Sequence, residues 1–243
     1  MEASGLRWLA DAARTGGAPA VEPVAVSDGA IELRRLDTTA PTPRAAEEFG
    51  RRLAVTHASG ATRHGCPPGD WAGDGFIGPL PLPHHRDVAD PWPWGRFFAE
   101  LRIAPYARSA RDAGTLSAAD AGLLDRICAR LGDGTEELTG PAEPPSRLHG
   151  DLWSGNVIWT PSGVVLIDPA AHGGHRESDL AMLALFGLPH LDRVIAAYHE
   201  RWPLADGWRQ RQPLHQLFPL LVHAVLFGGG YAGQAIAAAR RYA

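Results

Sequence analysis

The sequence has no lysine: all 23 of its basic residues are arginine, set against 27 acids for a formal net charge of −4 over 243 residues. Without a positive excess the chain lacks the electrostatic footprint of a nucleic-acid binder, and no nucleic-acid partner is expected. Cysteine is nearly absent as well. Cys66 and Cys128 stand far apart with no CxxC pairing, which excludes a disulfide framework and points to a reducing, cytoplasmic setting. Residues 1–4 show no basic stretch leading into an apolar one, so no signal peptide is expected. Long apolar runs are also missing. Residues 217–239 come nearest, but Pro219, His223, Gln234 and the glycines at 228–230 interrupt them, and they read as two core helices rather than a membrane span.

Asparagine occurs once, at Asn156, and its neighbourhood carries the chemistry. In LHGDLWSGN, Asp151 follows His149 by two residues and precedes Asn156 by five, the HxDxxxxN spacing of a phosphoryl-transfer loop. A carboxylate near the attacking hydroxyl and hard oxygen ligands for Mg²⁺ are what that chemistry needs; Asp151 suits the first task and Asn156 the second. Strands at 157–160 and 164–167, joined by Pro161-Ser162-Gly163, form a hairpin that returns Asp168 beside the loop, where its carboxylate completes the metal site. Taken singly, an HxD is usually a turn, and an acid after a strand is usually a helix cap. The lone asparagine at the metal position favours the combined reading. A competing reading is metal-dependent hydrolysis through His149, Asp151, His172 and His175, but no helical register holds these histidines on one face.

LHGDLWSGN, then IDPA, then GHRESDLAMLALFG resembles the fructosamine/ketosamine kinases, within the aminoglycoside-phosphotransferase and choline-kinase-like group. The resemblance implies an α+β, protein-kinase-like fold with residues 1–37 as the remnant of a small nucleotide-binding lobe and 38–243 as a mostly helical catalytic and substrate-binding lobe. It implies ATP and Mg²⁺ as cofactors and a small-molecule ketosamine or glycated amine as the phosphate acceptor. Glu2 falls where the family has a glutamate paired with a phosphate-binding lysine; an acid in a helix's first turn is the plain reading of the same position. Leu36 opens the hinge segment expected to meet the adenine. His149, Trp153, His175, Arg176 and Glu177 are expected to contact substrate or lock the loop. Asp179 is expected to hold the catalytic-loop backbone, a role compatible with its place in a helix's first turn. Family members carry a glycine-bearing phosphate loop and the lysine strand before the first helix, and this chain begins after both. A truncated reading of a longer gene is therefore expected, with a catalytically impaired relic acting as a binding module as the alternative.

Elsewhere the patterning predicts a helix over 2–14 burying Leu6, Leu9, Ala10 and Ala13, and strands over 21–26 and 30–36 around the turn Ser27-Asp28-Gly29. It predicts a helix over 43–59 burying Ala46, Phe49, Leu53 and Ala54, with His57 as a helix-end residue rather than a catalytic one. Residues 60–93 read as a long loop containing the family-like GFIG, with Asp70, Trp71, His84 and His85 as residues able to face a polyol. Helices are expected over 92–113, burying Phe97, Phe98, Leu101 and Ile103, and over 117–131. Residues 132–146 read as a linker, and further helices follow over 193–202, 208–221 and 222–242.

Overall fold

A computed structural model describes every residue except Asp28 and Asp70, so the tip of the expected 27–29 turn and one of the expected polyol-facing residues lie outside the described residues. Helix α1 (Glu2–Ala13) leads to an antiparallel pair, β1 (Pro23–Ser27) and β2 (Ala30–Leu33). The face that α1 buries includes Leu6, Leu9 and Ala12, correcting the expected Ala10 and Ala13, which are only half-buried.

Helix α2 (Pro43–Ala58) starts where the sequence says it should. Thr42 accepts a hydrogen bond from the Ala45 amide at 3.2 Å, and Pro43 supplies a preset φ at a position whose amide has no helical partner. The helix packs against α8 (Leu191–Arg201), and its Gly50 permits the approach, since a Cβ there would collide with the Val194 carbonyl. Phe49, Leu53, Val194 and Tyr198 form one apolar cluster with Val157 and Leu166 of the next hairpin.

The long loop is less bare than expected, for it contains a small hairpin of β3 (Gly75–Ile77) and β4 (Leu80–Leu82). The helix expected over 92–113 is interrupted. It runs as α3 (Trp94–Phe98), one π-helical turn (Ala99–Ile103) and α4 (Ala104–Asp112). Pro105 explains the break: it has no amide to donate, and the amide of Ala104 reaches back five residues to the Ala99 carbonyl. The wider turn leaves Leu101 only half-buried, against expectation, and turns Arg102 into the core. Helix α5 (Ala118–Gly132) begins with a reciprocal cap between Ser117 and Asp120. The expected linker holds a helical turn, α6 (Glu136–Thr139), and a strand, β5 (Ser146–Leu148).

Two antiparallel pairs then frame the candidate site. β6 (Val157–Thr160) and β7 (Gly163–Leu166) form the expected hairpin. β5 pairs with β8 (His172–Gly174), Leu148 opposite His172, which joins the start of the HGD loop to the GHRE segment. Helix α7 (Glu177–Phe186) follows directly. The segment expected as one helix over 208–221 is two, α9 (Trp208–His215) and α10 (Leu217–Phe227), and α11 (Gly230–Ala239) closes the second apolar cluster with α3, α4 and α5. Among the described residues no helix is long and apolar enough to cross a membrane.

Candidate active site

The HGD loop leaves β5 through a turn that only glycine can make. Gly150 has φ +81°, and a Cβ on it would strike the Ala170 carbonyl and the His172 ring. The loop's backbone is then gripped from α7. The amides of His149 and Gly150 donate to Asp179 Oδ2 and Oδ1 at 2.8 and 3.0 Å. Asp179 Oδ2 also lies 3.1 Å from His57 Nε2, and His57 Nδ1 lies 2.8 Å from the Tyr198 hydroxyl. The carboxylate makes Nε2 the protonated nitrogen of His57, so Nδ1 accepts from Tyr198. Burial pushes the Asp179 carboxyl up, but the hydrogen bond from His57, helped by the Gly150 amide, outweighs it and holds it below its ordinary value. His57 lies in the last turn of α2, as expected, and is fully buried in this chain of contacts.

His149 is buried and faces inward. Its Nε2 donates to the Ile167 carbonyl at 2.9 Å, leaving Nδ1 to accept the Asp151 amide at 3.3 Å, and burial pushes its pKa down. It braces the loop and offers nothing to solvent.

Asp151, Asn156 and Asp168 do come together. Asn156 Nδ2 donates to the Asp151 carbonyl at 2.8 Å, to Asp151 Oδ2 at 3.1 Å and to the Asp168 carbonyl at 3.3 Å. The Ile167 amide donates to the Asn156 carbonyl at 3.1 Å, which ties the loop to the returning strand. The amide nitrogen is thus fully committed, while Asn156 Oδ1 and the exposed Asp168 carboxylate make no hydrogen bond among the described residues. Asp168 stands at φ +50°, a left-handed conformation that aspartate tolerates better than most side chains.

The electrostatics show what the cluster lacks. Burial first, then the Asp168 charge, push the Asp151 carboxyl up to about 7, against the pull of the Asn156 amide. Glu2 is raised by burial and again by Asp168, so the first turn of α1 adds a third acid to the group. Mutually repelling carboxylates and a free amide oxygen form a hard-oxygen donor set, which fits Mg²⁺ in kind. Leu36 is half-buried at the end of the β1–β2 segment, and the nearby Thr39 amide donates to the Trp159 carbonyl of β6 at 2.8 Å.

His175, Arg176 and Glu177 are all buried. Arg176 makes a two-pronged ion pair with Glu143, both contacts at 2.6 Å, and lies 4.0 Å from the Trp202 ring. Glu177 is held in the same manner by Arg211, at 2.6 and 3.0 Å. Among the described residues the one convergence of three histidine or acid ligand atoms, within 4.8 Å, is His175, Glu177 and His215. Its carboxylate is already taken by Arg211. The hydrolytic quartet of His149, Asp151, His172 and His175 does not form, because only His175 of the four belongs to that convergence.

Trp153 is 40% exposed beside Asp151, and its ring begins an aromatic ridge: 6.2 Å to Phe186, 4.9 Å from there to His223, and 5.5 Å on to Phe227. Sequence reasoning missed His223 and Tyr198; the only signal was aromatic spacing on helices already assigned to the core.

Known proteins resemble this chain over nearly its whole length. The sequence profile described as fructosamine kinase matches residues 1–242. A probable ketoamine kinase of Synechocystis sp. is 36% identical over 193 residues, covering 77% of this chain and 58% of the relative, so the chain spans little more than half that relative's length. The crystal structure of a candidate fructosamine-3-kinase from Thermobifida fusca superposes with a TM-score of 0.88 at 48% identity, over 99% of this chain and 78% of that one. An aminoglycoside phosphotransferase solved with ADP and hygromycin B superposes at 0.57 with 15% identity, covering all of this chain and 83% of its own, a likeness of fold alone. The fold is α+β and protein-kinase-like.

Proposed function

Since the chain belongs to the fructosamine kinase family, we propose that its cleft transfers the γ-phosphoryl group of ATP to a sugar hydroxyl of a ketosamine, free or as a glycated amine. The observation that carries this reading is the Asn156 side chain, whose nitrogen ties Asp151 to the Asp168 backbone carbonyl while its oxygen has no hydrogen-bond partner among the described residues. Asn156 Oδ1 and the Asp168 carboxylate would hold Mg²⁺. When bound, the ion supplies charge neutralisation for the phosphates.

Asp151 accepts or orients the proton of the attacking hydroxyl, and a carboxyl raised to about 7 is matched to that task near neutral pH. Its position is fixed from behind by Asp179 and His149, so little reorganisation is needed as charge moves. Glu2 and the Leu36 segment belong to the nucleotide side, residues 1–37, and residues 38–243 carry the acceptor side. Trp153 and the ridge behind it would receive the amine substituent of the ketosamine. His175, Arg176 and Glu177 support the loop rather than touch substrate.

The absence of lysine favours a second reading, in which the chain binds Mg·ATP without transferring phosphate. Calorimetric titration with Mg·ATP, followed by a phosphorylation assay on a synthetic 1-amino-1-deoxyfructose derivative, separates the two. Nucleotide binding that is lost in Asp168→Ala, together with turnover, supports the kinase. Binding without turnover supports the second reading, and no binding by a folded chain overturns both.

A further inference from the structure

Among the described residues Arg102 is a buried cation without an acid. Its side chain is 1% exposed, turned into the core by the π-helical turn, with its guanidinium 4.7 Å from the Phe97 ring and 5.5 Å from that of Phe218. Nη1 donates to the Pro83 and Leu101 carbonyls at 2.8 and 2.9 Å. Nε and Nη2 donate to no group among the described residues. Arg176 and Arg211, the other buried arginines, each have a two-pronged carboxylate partner. The acid whose charge reaches Arg102 is Asp74, half exposed and 3.8 Å from Arg86 instead. Burial lowers the Arg102 pKa to about 10, so the group is still cationic at neutral pH.

The neighbouring imidazoles supply no counter-charge. His84 and His172 each turn Nδ1 to a carbonyl, at 3.1 and 2.8 Å, and burial holds both neutral. Arg102 and His172 line a small internal cavity of about 20 Å³ with Phe98, Phe218, Gly150 and Ser178. Asp179 borders it too, with its oxygens engaged by the loop amides and His57. That volume takes one particle the size of a water molecule. A water would satisfy the two free N–H groups but leave the charge uncompensated. A monatomic anion satisfies both, and the edges of aromatic rings are also positive.

We propose that this cavity is a binding site for a single chloride ion, held by the Nε and Nη2 hydrogens of Arg102. The ion would sit behind Gly150, and so directly under the loop that carries Asp151.

The test is a crystal grown in sodium bromide and measured at the bromine edge, beside thermal melting in sodium chloride and in sodium gluconate at equal ionic strength. One anomalous peak within hydrogen-bond reach of Arg102 is expected, with melting about 3 °C higher in chloride than in gluconate. Arg102→Met should lose both the peak and the chloride dependence. Density without anomalous signal at that position would mean a water and overturn the proposal, as would equal melting in the two salts. If Arg102→Met does not fold, the wild-type bromide peak and melting pair decide alone.

Discussion

Asp168 and Glu177 lie within one short stretch of chain and are treated in opposite ways. Asp168 is exposed, left-handed in its backbone, free of hydrogen bonds to its carboxylate among the described residues, and faces the like charges of Asp151 and Glu2. Glu177 is 2% exposed and gripped by Arg211 and His215, which overcome the cost of burial and hold it well below the usual carboxylate range. The first acid is left in want of a cation, and the second has one built in. An acid that must bind a metal has to be unsatisfied in the resting protein, whereas one that holds two segments together has to be satisfied.

Removing either acid breaks the contrast in a different place. Asp168→Ala is expected to lower turnover by about 10³-fold or more while leaving the melting temperature unchanged or raised, because it would remove the proposed metal ligand and a repelling charge. A coupled ATPase-linked assay beside calorimetry checks it, and turnover within tenfold of wild type would contradict the site. Glu177→Gln should cost about 3 kcal/mol of stability, since it leaves the buried Arg211 without its partner. Urea unfolding measures that loss, and a variant as stable as wild type would mean that the pair contributes nothing.

Acid sharpens the comparison further. His172 and His175 are held neutral by burial, so the unfolded chain takes up their protons more readily and stability falls as pH drops below about 6.5. Glu177, with a depressed folded pKa, contributes stability that is complete above about 4.5 and is lost as pH falls through that range towards its folded value. Melting curves should therefore shift in two stages, the lower one missing in Glu177→Gln. The smallest effect belongs to a surface pair. Arg52→Ala, which removes an exposed i,i+4 contact to Glu48, should change stability by no more than about 0.5 kcal/mol.

The contrast also shows what could be read in advance. The Asp151–Asn156–Asp168 cluster was legible because a hairpin of fixed length converts spacing into proximity, and α2 and α5 because their caps are local. The contact of His57 with Asp179 was not legible because the two are 122 residues apart, and no periodicity announces such a pairing. The β5–β8 ladder is only three residues long on each strand and half of it is His-Gly-Gly, too short and too glycine-rich to signal a strand. Arg102 was hidden for a third reason. The π-helical turn changes which residue faces inward, so a count by 3.6 selected Leu101.

The buried cations of this molecule, Arg102, Arg176 and Arg211, are all guanidinium groups. That choice extends over the whole sequence, which has no lysine ε-amine anywhere. Reducing sugars condense with unprotonated amines to give the Schiff bases from which ketosamines form, and a guanidinium that does not deprotonate is a poor partner for that reaction. No side chain among these 243 residues is therefore a lysine on which such an adduct could grow.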